Sequence, residues 1–271
     1  VTATVGGEEL FSWTADGRTP FGHSFGLSCY MINIPASAAG GTLDLRLAPS
    51  GNAAGRVYGM TLGGALPSAA LLINRNLYTI ALFFILLCAF LVFTMLVVIL
   101  RKRITGKSSL GFLYLSAFMA ISAVWILSDC DILLLLTRSV ASIYYCANLS
   151  FMLLSAPLLL YVRRLLGRGG AALSALAFLV LLNFAVNAVL IVAGVVSATR
   201  TLVLTQMLHI ASGVLIVALC AREYIKTKNR QTVEVFIGIG LLVLLSLLAF
   251  VRYYLTGNPD NQERVREMAG K

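Results

Sequence analysis

The segment TIALFFILLCAFLVFTMLVVIL (residues 79–100) contains no charged side chain, and it decides the fold class. As a helix rising about 1.5 Å per residue, it is long enough to cross a hydrocarbon core of roughly 30 Å. A helix is expected because a segment inside lipid must satisfy its own backbone hydrogen bonds. Five runs of the same character follow, and each of the six has 19 to 24 residues. The predicted spans are 79–100, 110–128, 139–162, 171–193, 202–221 and 235–255.

The short polar gaps between these runs alternate in basic charge. The first, third and fifth gaps hold 11 of the 21 Lys and Arg residues, whereas the second and fourth hold only Arg138 and Arg200. Short basic loops are retained in the cytoplasm, so the odd-numbered gaps are predicted to face inward. Residues 1–78 and the tail after residue 255 are then expected outside, as in a multi-pass protein of the bacterial plasma membrane.

The overall composition favours a membrane protein over other classes. The chain is 59% hydrophobic and 12% charged. Its net charge of +10 could suggest nucleic acid, but basic clusters beside membrane spans are explained by topology and anionic lipid. None of the five cysteines forms a CxxC motif or pairs with a histidine in sequence. We therefore expect no nucleic-acid partner, no zinc site, no disulfide framework and no cofactor.

Residues 1–66 contain short segments typical of β-strands. In GTLDLRLAP (residues 41–49), leucines alternate with charged residues, which is the pattern of a half-buried strand. Further strand candidates are Glu9–Trp13, Leu27–Ile34 and Arg56–Leu62. We expect residues 1–66 to be the C-terminal part of an extracellular β-sandwich or jelly-roll sensor domain, with a connector over 67–78.

The two ends of the sequence favour an internal fragment. The chain starts at Val1 and shows no basic segment followed by an apolar one, as a signal peptide would. An external domain ahead of the first span normally needs such a peptide. We expect the polar tail 256–271 to lie outside and to lead to a missing seventh helix.

Polar side chains inside the predicted spans are the main candidates for function, because they are costly in lipid and usually face the bundle interior or a cavity. In chain order they are Asn148, Asn183, Asn187, Thr205, Gln206 and His209. Spacings of i, i+4 place Asn183 with Asn187, and Thr205 with His209, on shared helix faces. We expect an outward-opening pocket capped by Asp129, Asp131, Arg138 and Arg200. The alternative is that these side chains only hold the helices together by hydrogen bonds.

Three further features of the spans have simple explanations beside functional ones. Pro157 could kink the third span. Trp125 and the pair Tyr144-Tyr145 fit an aromatic belt at the membrane interface. His209 is a candidate pH sensor or ligand contact, because imidazole titrates near pH 6.5.

Enzymatic chemistry finds little support in the chain. All eleven Asp and Glu residues lie outside the spans or at their margins. The motifs GxSxG, HExxH and GxxxxGK[ST] are missing from the sequence. We therefore predict that this chain is not itself an enzyme.

Eight short segments carry a family resemblance through their order along the chain. They are GEELFSW (7–13), PFGHSFG (20–26), NIP (33–35), GGTLDLRL (40–47), LGG (62–64), YLSAFMAISAVWILSD (114–129), LLSAPLLLYV (153–162) and RYY (252–254). This order resembles the bacterial seven-transmembrane receptors with diverse intracellular signalling modules (7TMR-DISM), particularly members that end in a GGDEF domain. The chain departs from that family by stopping after six predicted spans.

The resemblance implies a function as well as a fold. The jelly-roll sensor of this family resembles carbohydrate-binding modules, which implies a small-molecule or sugar-like ligand. A seventh helix would lead to a cytoplasmic GGDEF diguanylate cyclase, a histidine kinase or a phosphatase. Receptors of this type are compatible with a homodimer. The leading hypothesis is thus the input region of a signalling receptor, against a transporter or permease subunit and a membrane scaffold without ligand.

Overall fold

A computed structural model of the chain describes part of its length. The described residues are 2–12, 30–46, 60, 63–101, 109–128, 130–137, 140–166, 170–196 and 198–227. They form a small sheet followed by helices. The predicted sixth span 235–255 and the tail 256–271 lie outside the described residues.

Three short strands make an antiparallel sheet. They are β1 (Thr2–Val5), β2 (Glu8–Ser12) and β3 (Leu43–Arg46), in the spatial order β2-β1-β3. Gly6 and Gly7 join β1 to β2 with φ angles of 59° and 91°. Two successive residues with positive φ suit a tight hairpin turn, and glycine adopts that conformation at little cost.

The sheet tests the predicted strands one by one. β2 confirms Glu9–Trp13 to within a residue at each end, and β3 confirms the centre of 41–49. Leu27–Ile34 forms no strand in its described part, where most side chains are exposed and no neighbouring strand pairs with it. Arg56–Leu62 lies almost wholly outside the described residues. β1 was not predicted, although its Ala3 is fully buried between the two other strands.

Seven α-helices follow the sheet in the part of the chain that is described, after a 3-10 turn at Ala36–Ala38. They are α1 (Ala65–Arg101), α2 (Ser109–Ser128), α3 (Asp131–Leu136), α4 (Val140–Leu153), α5 (Ser155–Leu166), α6 (Ala171–Val192) and α7 (Ala198–Thr227).

Five helical segments are long and apolar enough to cross a membrane, as expected of a multi-pass membrane protein. They are Leu66–Ile99, Leu110–Ser128, Ser142–Leu166, Ala171–Val192 and Thr201–Lys226. They confirm the first five predicted spans as apolar helices of spanning length. The third differs from expectation, because it consists of two helices, α4 and α5, with Leu154 in a turn between them.

The first helix is much longer than its predicted span. α1 has 37 residues, and at 1.5 Å per residue it is about 55 Å long, against a hydrocarbon core of roughly 30 Å. The segment 67–78, expected as a connector, is the beginning of this helix. Pro67 lies in its first turn, where proline is tolerated, and no later residue of α1 is a helix breaker.

α5 lies at the centre of the helical bundle. Its Leu159 and Val162 are fully buried, and they pack with residues of α2, α6 and α7. The buried apolar cluster comprises Phe118, Ala156, Leu158, Leu159, Val162, Leu173, Ala177, Val180, Ile216 and Cys220. α1 contacts the bundle mainly through α2. Its outer face is apolar, with Phe84 and Met95 more than half exposed, as suits a surface that meets lipid.

The bundle has two chemically different ends. At one end of the bundle, α1, α5 and α7 end and α2 and α6 begin. The last turns of α5 and α7 carry Arg163, Arg164 and Lys226. We call this the basic end. α3 lies at the opposite end, where Asp131 meets the first half of α1.

Candidate functional site

A break in the third span creates the centre of the site. Leu154 donates its backbone N–H to the carbonyl of Phe151 at 3.2 Å, a bond one residue shorter than the α-helical one. Pro157 explains the break, because it has no N–H for the carbonyl of Leu153 and its ring crowds that carbonyl. The third span is thus interrupted three residues before Pro157, and the kink predicted there stays a prediction. The hydroxyl of Ser155, also at the break, is buried without a hydrogen-bond partner among the described residues.

His209 of α7 is fixed against this break. Its Nδ1 lies 2.8 Å from the carbonyl oxygen of Thr205, and its Nε2 lies 2.9 Å from the carbonyl oxygen of Phe151. Carbonyl oxygens only accept, and a neutral imidazole carries a single N–H. Each neutral tautomer therefore satisfies one of the two contacts, whereas an imidazolium would donate to both.

An aromatic stack supports the imidazole. The ring of Phe151 stacks on His209, with centroids 4.7 Å apart and an interplanar angle of 22°. Trp125 of α2 packs on the other side of the contact, 5.5 Å from Phe151. Trp125 thus packs α2 against the end of α4, whereas its predicted place in an aromatic belt stays a prediction.

Two asparagines of α6 extend the hydrogen bonds away from the break. Asn187 Nδ2 donates to both the backbone and side-chain oxygens of Asn183, each at 2.8 Å. Asn183 Nδ2 donates to Thr205 Oγ1 at 3.1 Å, and that hydroxyl donates to the carbonyl of Thr201 at 3.0 Å. All three side chains are at least nine-tenths buried.

These contacts form one continuous polar network, which we define as Asn187, Asn183, Thr205, His209 and the carbonyl of Phe151. It links α6 to α7 and α7 to the break between α4 and α5. The sequence predicted four of its five members from their i, i+4 spacing. Interhelical hydrogen bonds between polar side chains are a common means of joining helices in lipid, so the network at least stabilises the bundle.

Two further predicted site residues, Asn148 and Gln206, lie among the described residues. Asn148 is buried, but its Nδ2 donates to the carbonyl of Tyr144 at 2.7 Å within its own helix. Gln206 is half-buried on α7. Asp129 and Arg138 lie outside the described residues, and so does the side chain of Arg200.

Asp131 belongs to a second contact region instead of a cap over the network. Its backbone N–H donates to Asn76 Oδ1 at 3.1 Å, and its carboxylate lies 3.8 Å from Arg75 Nε. Asn76 is 5% exposed and also donates to the carbonyl of Leu72 at 2.9 Å. Asn76 was not predicted, and the signal that could have found it is an amide that lies within one turn of the first uncharged run.

A third contact joins α1 to α2 nearer the basic end. The hydroxyls of Thr94 and Ser116 share a hydrogen bond of 2.7 Å. Thr94 also donates to the carbonyl of Phe90 at 2.8 Å. α1 is therefore tied to the bundle by polar contacts at two heights, around Asn76 and around Thr94.

Metal binding finds no support in the described residues, which contain no group of three or more His, Cys, Asp or Glu side chains placed to hold an ion. The described cysteines, Cys88, Cys130, Cys146 and Cys220, are free thiols. No family model, no characterised protein and no solved structure matches the chain.

Proposed function

We propose that this chain is the sensory input region of a bacterial transmembrane signalling receptor of the 7TMR-DISM type. A small molecule, sugar-like if the family resemblance holds, binds to the N-terminal domain outside the cell. Binding biases the helices between two arrangements, and a cytoplasmic output domain reads the result. That output is a GGDEF diguanylate cyclase or a histidine kinase, with the GGDEF domain favoured by the resemblance over 114–129.

The polar network is the observation that carries this proposal. A switch needs alternative arrangements that differ by a small free energy, which a ligand can then bias. His209 faces two carbonyl acceptors with a single N–H in its neutral form, beside the break between α4 and α5. Losing or gaining one such hydrogen bond changes the free energy by about 0.5 to 1.5 kcal/mol, which overlaps the range of about 1 to 3 kcal/mol typical of coupling between sites.

α1 supplies the link between the two ends. It runs without interruption from the region after the sheet, past Asn76, to Thr94 and the basic end. Because a single helix moves as a rigid element, a displacement at its start also reaches α2 through these contacts. In the proposed receptor, α1 therefore carries a displacement at its own beginning to α2.

The test compares two asparagines of equal burial in the full-length protein. Asn183 and Asn148 are each 8% exposed, but Asn183 donates to Thr205 of another helix, whereas Asn148 donates to a carbonyl of its own helix. Asn183→Leu is expected to change output at least fivefold in membranes, measured as cyclic di-GMP formed or phosphate incorporated. Asn148→Leu is the matched control and should stay within twofold of wild type. Equal effects of the two variants, at equal protein levels, would refute a signalling role for the network.

A transporter subunit is the second candidate, and the break at Leu154 favours it. Substrate sites in transporters are often built where a spanning helix is interrupted. Here the interruption carries a buried Ser155 hydroxyl without a partner among the described residues. Substrate-dependent flux into vesicles reconstituted with the chain alone, lost in Ser155→Ala but not in Asn148→Leu, would support transport over signalling.

A further inference from the structure

A cavity at the basic end has the features of an anion site. It has a volume of about 260 Å³ and is lined by Tyr114 of α2 and by Leu160, Arg163 and Arg164 of α5. Both arginines lie in the last turn of α5, within three residues of the end of the apolar segment Ser142–Leu166. They are therefore at the depth where a spanning helix reaches the lipid headgroups.

Neither arginine of this cavity forms an ion pair with a described carboxylate. The ion pair that the described residues do form joins Arg75 to Asp131, and it lies at the opposite end of the bundle. Arg163 and Arg164 have no carboxylate within salt-bridge distance in the described part of the chain. Both arginines are exposed and line the same cavity, so an anion bound there would be attracted by two positive charges.

The position of Arg163 is set by close packing. Gly170, at the start of α6, is buried against the stem of Arg163. A Cβ at residue 170 would lie 2.6 Å from Arg163 Cγ and 3.3 Å from its Cα, so the side chain fits only beside glycine. This packing fixes the base of the side chain, whereas the guanidinium itself is exposed at the cavity.

The other lining residues select an amphiphilic anion. Leu160 lies one turn deeper than Arg163 and Arg164, so an apolar chain could run along it while the charged group meets the arginines. Tyr114 offers an aromatic ring with a polar tip, as interfacial residues commonly do. Guanidinium groups bind phosphate oxygens in a bidentate manner, and basic pockets between spanning helices suit acidic lipid headgroups.

We propose that the cavity lined by Tyr114, Leu160, Arg163 and Arg164 binds the phosphate headgroup of an anionic phospholipid in the leaflet at the basic end. Free phosphate would offer the arginines the same phosphate group. A phospholipid differs from it in having an acyl chain, which Leu160 would contact. This inference is independent of the receptor proposal, because it requires only that the bundle lies in a membrane.

Native mass spectrometry of the purified full chain tests the site with phosphatidylglycerol, phosphatidylcholine of the same acyl length and inorganic phosphate as probes. Wild type should retain phosphatidylglycerol at least tenfold more strongly than phosphatidylcholine, and millimolar inorganic phosphate should not displace it. Arg163→Gln with Arg164→Gln should remove this preference. The matched control, Arg222→Gln with Lys226→Gln, removes two charges from α7 at the same end and should keep it.

A second variant distinguishes a loss of lipid binding from a folding defect. Gly170→Ala keeps both charges but displaces the stem of Arg163, and it should weaken phosphatidylglycerol binding threefold or more with an unchanged helical circular dichroism spectrum. Three outcomes would overturn the proposal: equal retention of the two lipids by wild type, equal losses in the two double variants, or displacement by inorganic phosphate. The second would indicate general attraction to charge, and the third a site for free phosphate.

Discussion

Replacing His209 gives the sharpest measure of what holds α7 to the α4–α5 break. The neutral imidazole supplies one N–H to acceptors at 2.8 and 2.9 Å, and its ring stacks on Phe151. The carbonyl of Phe151 keeps the N–H of Leu154 as a donor, so it is not orphaned by the substitution. The expected loss is that of one hydrogen bond, about 0.5 to 1.5 kcal/mol, with about 0.5 to 1.5 kcal/mol more for the stack.

Two substitutions separate these contributions. His209→Phe keeps an aromatic ring and should lower the free energy of unfolding by about 1 kcal/mol, whereas His209→Leu should lower it by about 2 kcal/mol. The assay is equilibrium unfolding of the protein in mixed micelles by titration with sodium dodecyl sulfate. The control Met207→Phe introduces a ring two residues before His209, at a side chain that is 61% exposed, and it should leave the free energy of unfolding unchanged. If His209→Phe unfolds like wild type, the hydrogen bonds do not secure α7.

Three further substitutions test the other contacts. Asp131→Asn should cost less than about 1 kcal/mol, because its ion pair is exposed. Asn76→Leu should cost about 1 to 3 kcal/mol, because it removes the buried acceptor of the Asp131 N–H. The same unfolding titration compares the two variants, and equal losses would contradict this ranking. Thr94→Val breaks the bond to Ser116 and should cost about 0.6 kcal/mol, the average for such bonds in lipid; a loss above 2 kcal/mol would mean that packing dominates there. Pro157→Ala restores a backbone donor and should slow amide hydrogen exchange across the α4–α5 break at least fivefold; unchanged exchange would assign the break to tertiary packing.

Hydropathy and local spacing predicted much of the helical half of the molecule. Spanning segments are recognisable because the requirement for about twenty apolar residues acts on consecutive residues. The pairing of Asn183 with Asn187, and of Thr205 with His209, follows from the 3.6-residue period of a single helix. These features depend on nothing outside the segment itself, so a sequence pattern is sufficient to find them.

Contacts between distant segments could not be predicted in the same way. The bond between Asn76 and Asp131 joins residues 55 positions apart, and that between His209 and Phe151 joins residues 58 apart. Phe151 takes part through its backbone carbonyl, which every residue possesses, so its side chain gave no signal. β1 was missed for a related reason, because the four residues TATV gain their burial only from strands that pair on both sides.

Because α1 is unbroken, the number of residues before Asn76 determines the rotational orientation of whatever is attached to its beginning. An α-helix turns by about 100° per residue, so one residue inserted between Ala65 and Asn76 would rotate everything before it by more than a quarter turn relative to the bundle. An insertion of seven residues would nearly restore the original direction while moving the attached domain about 10 Å further away. Any graft of a foreign N-terminal module onto this membrane region should therefore succeed or fail with a helical periodicity in the length of the junction.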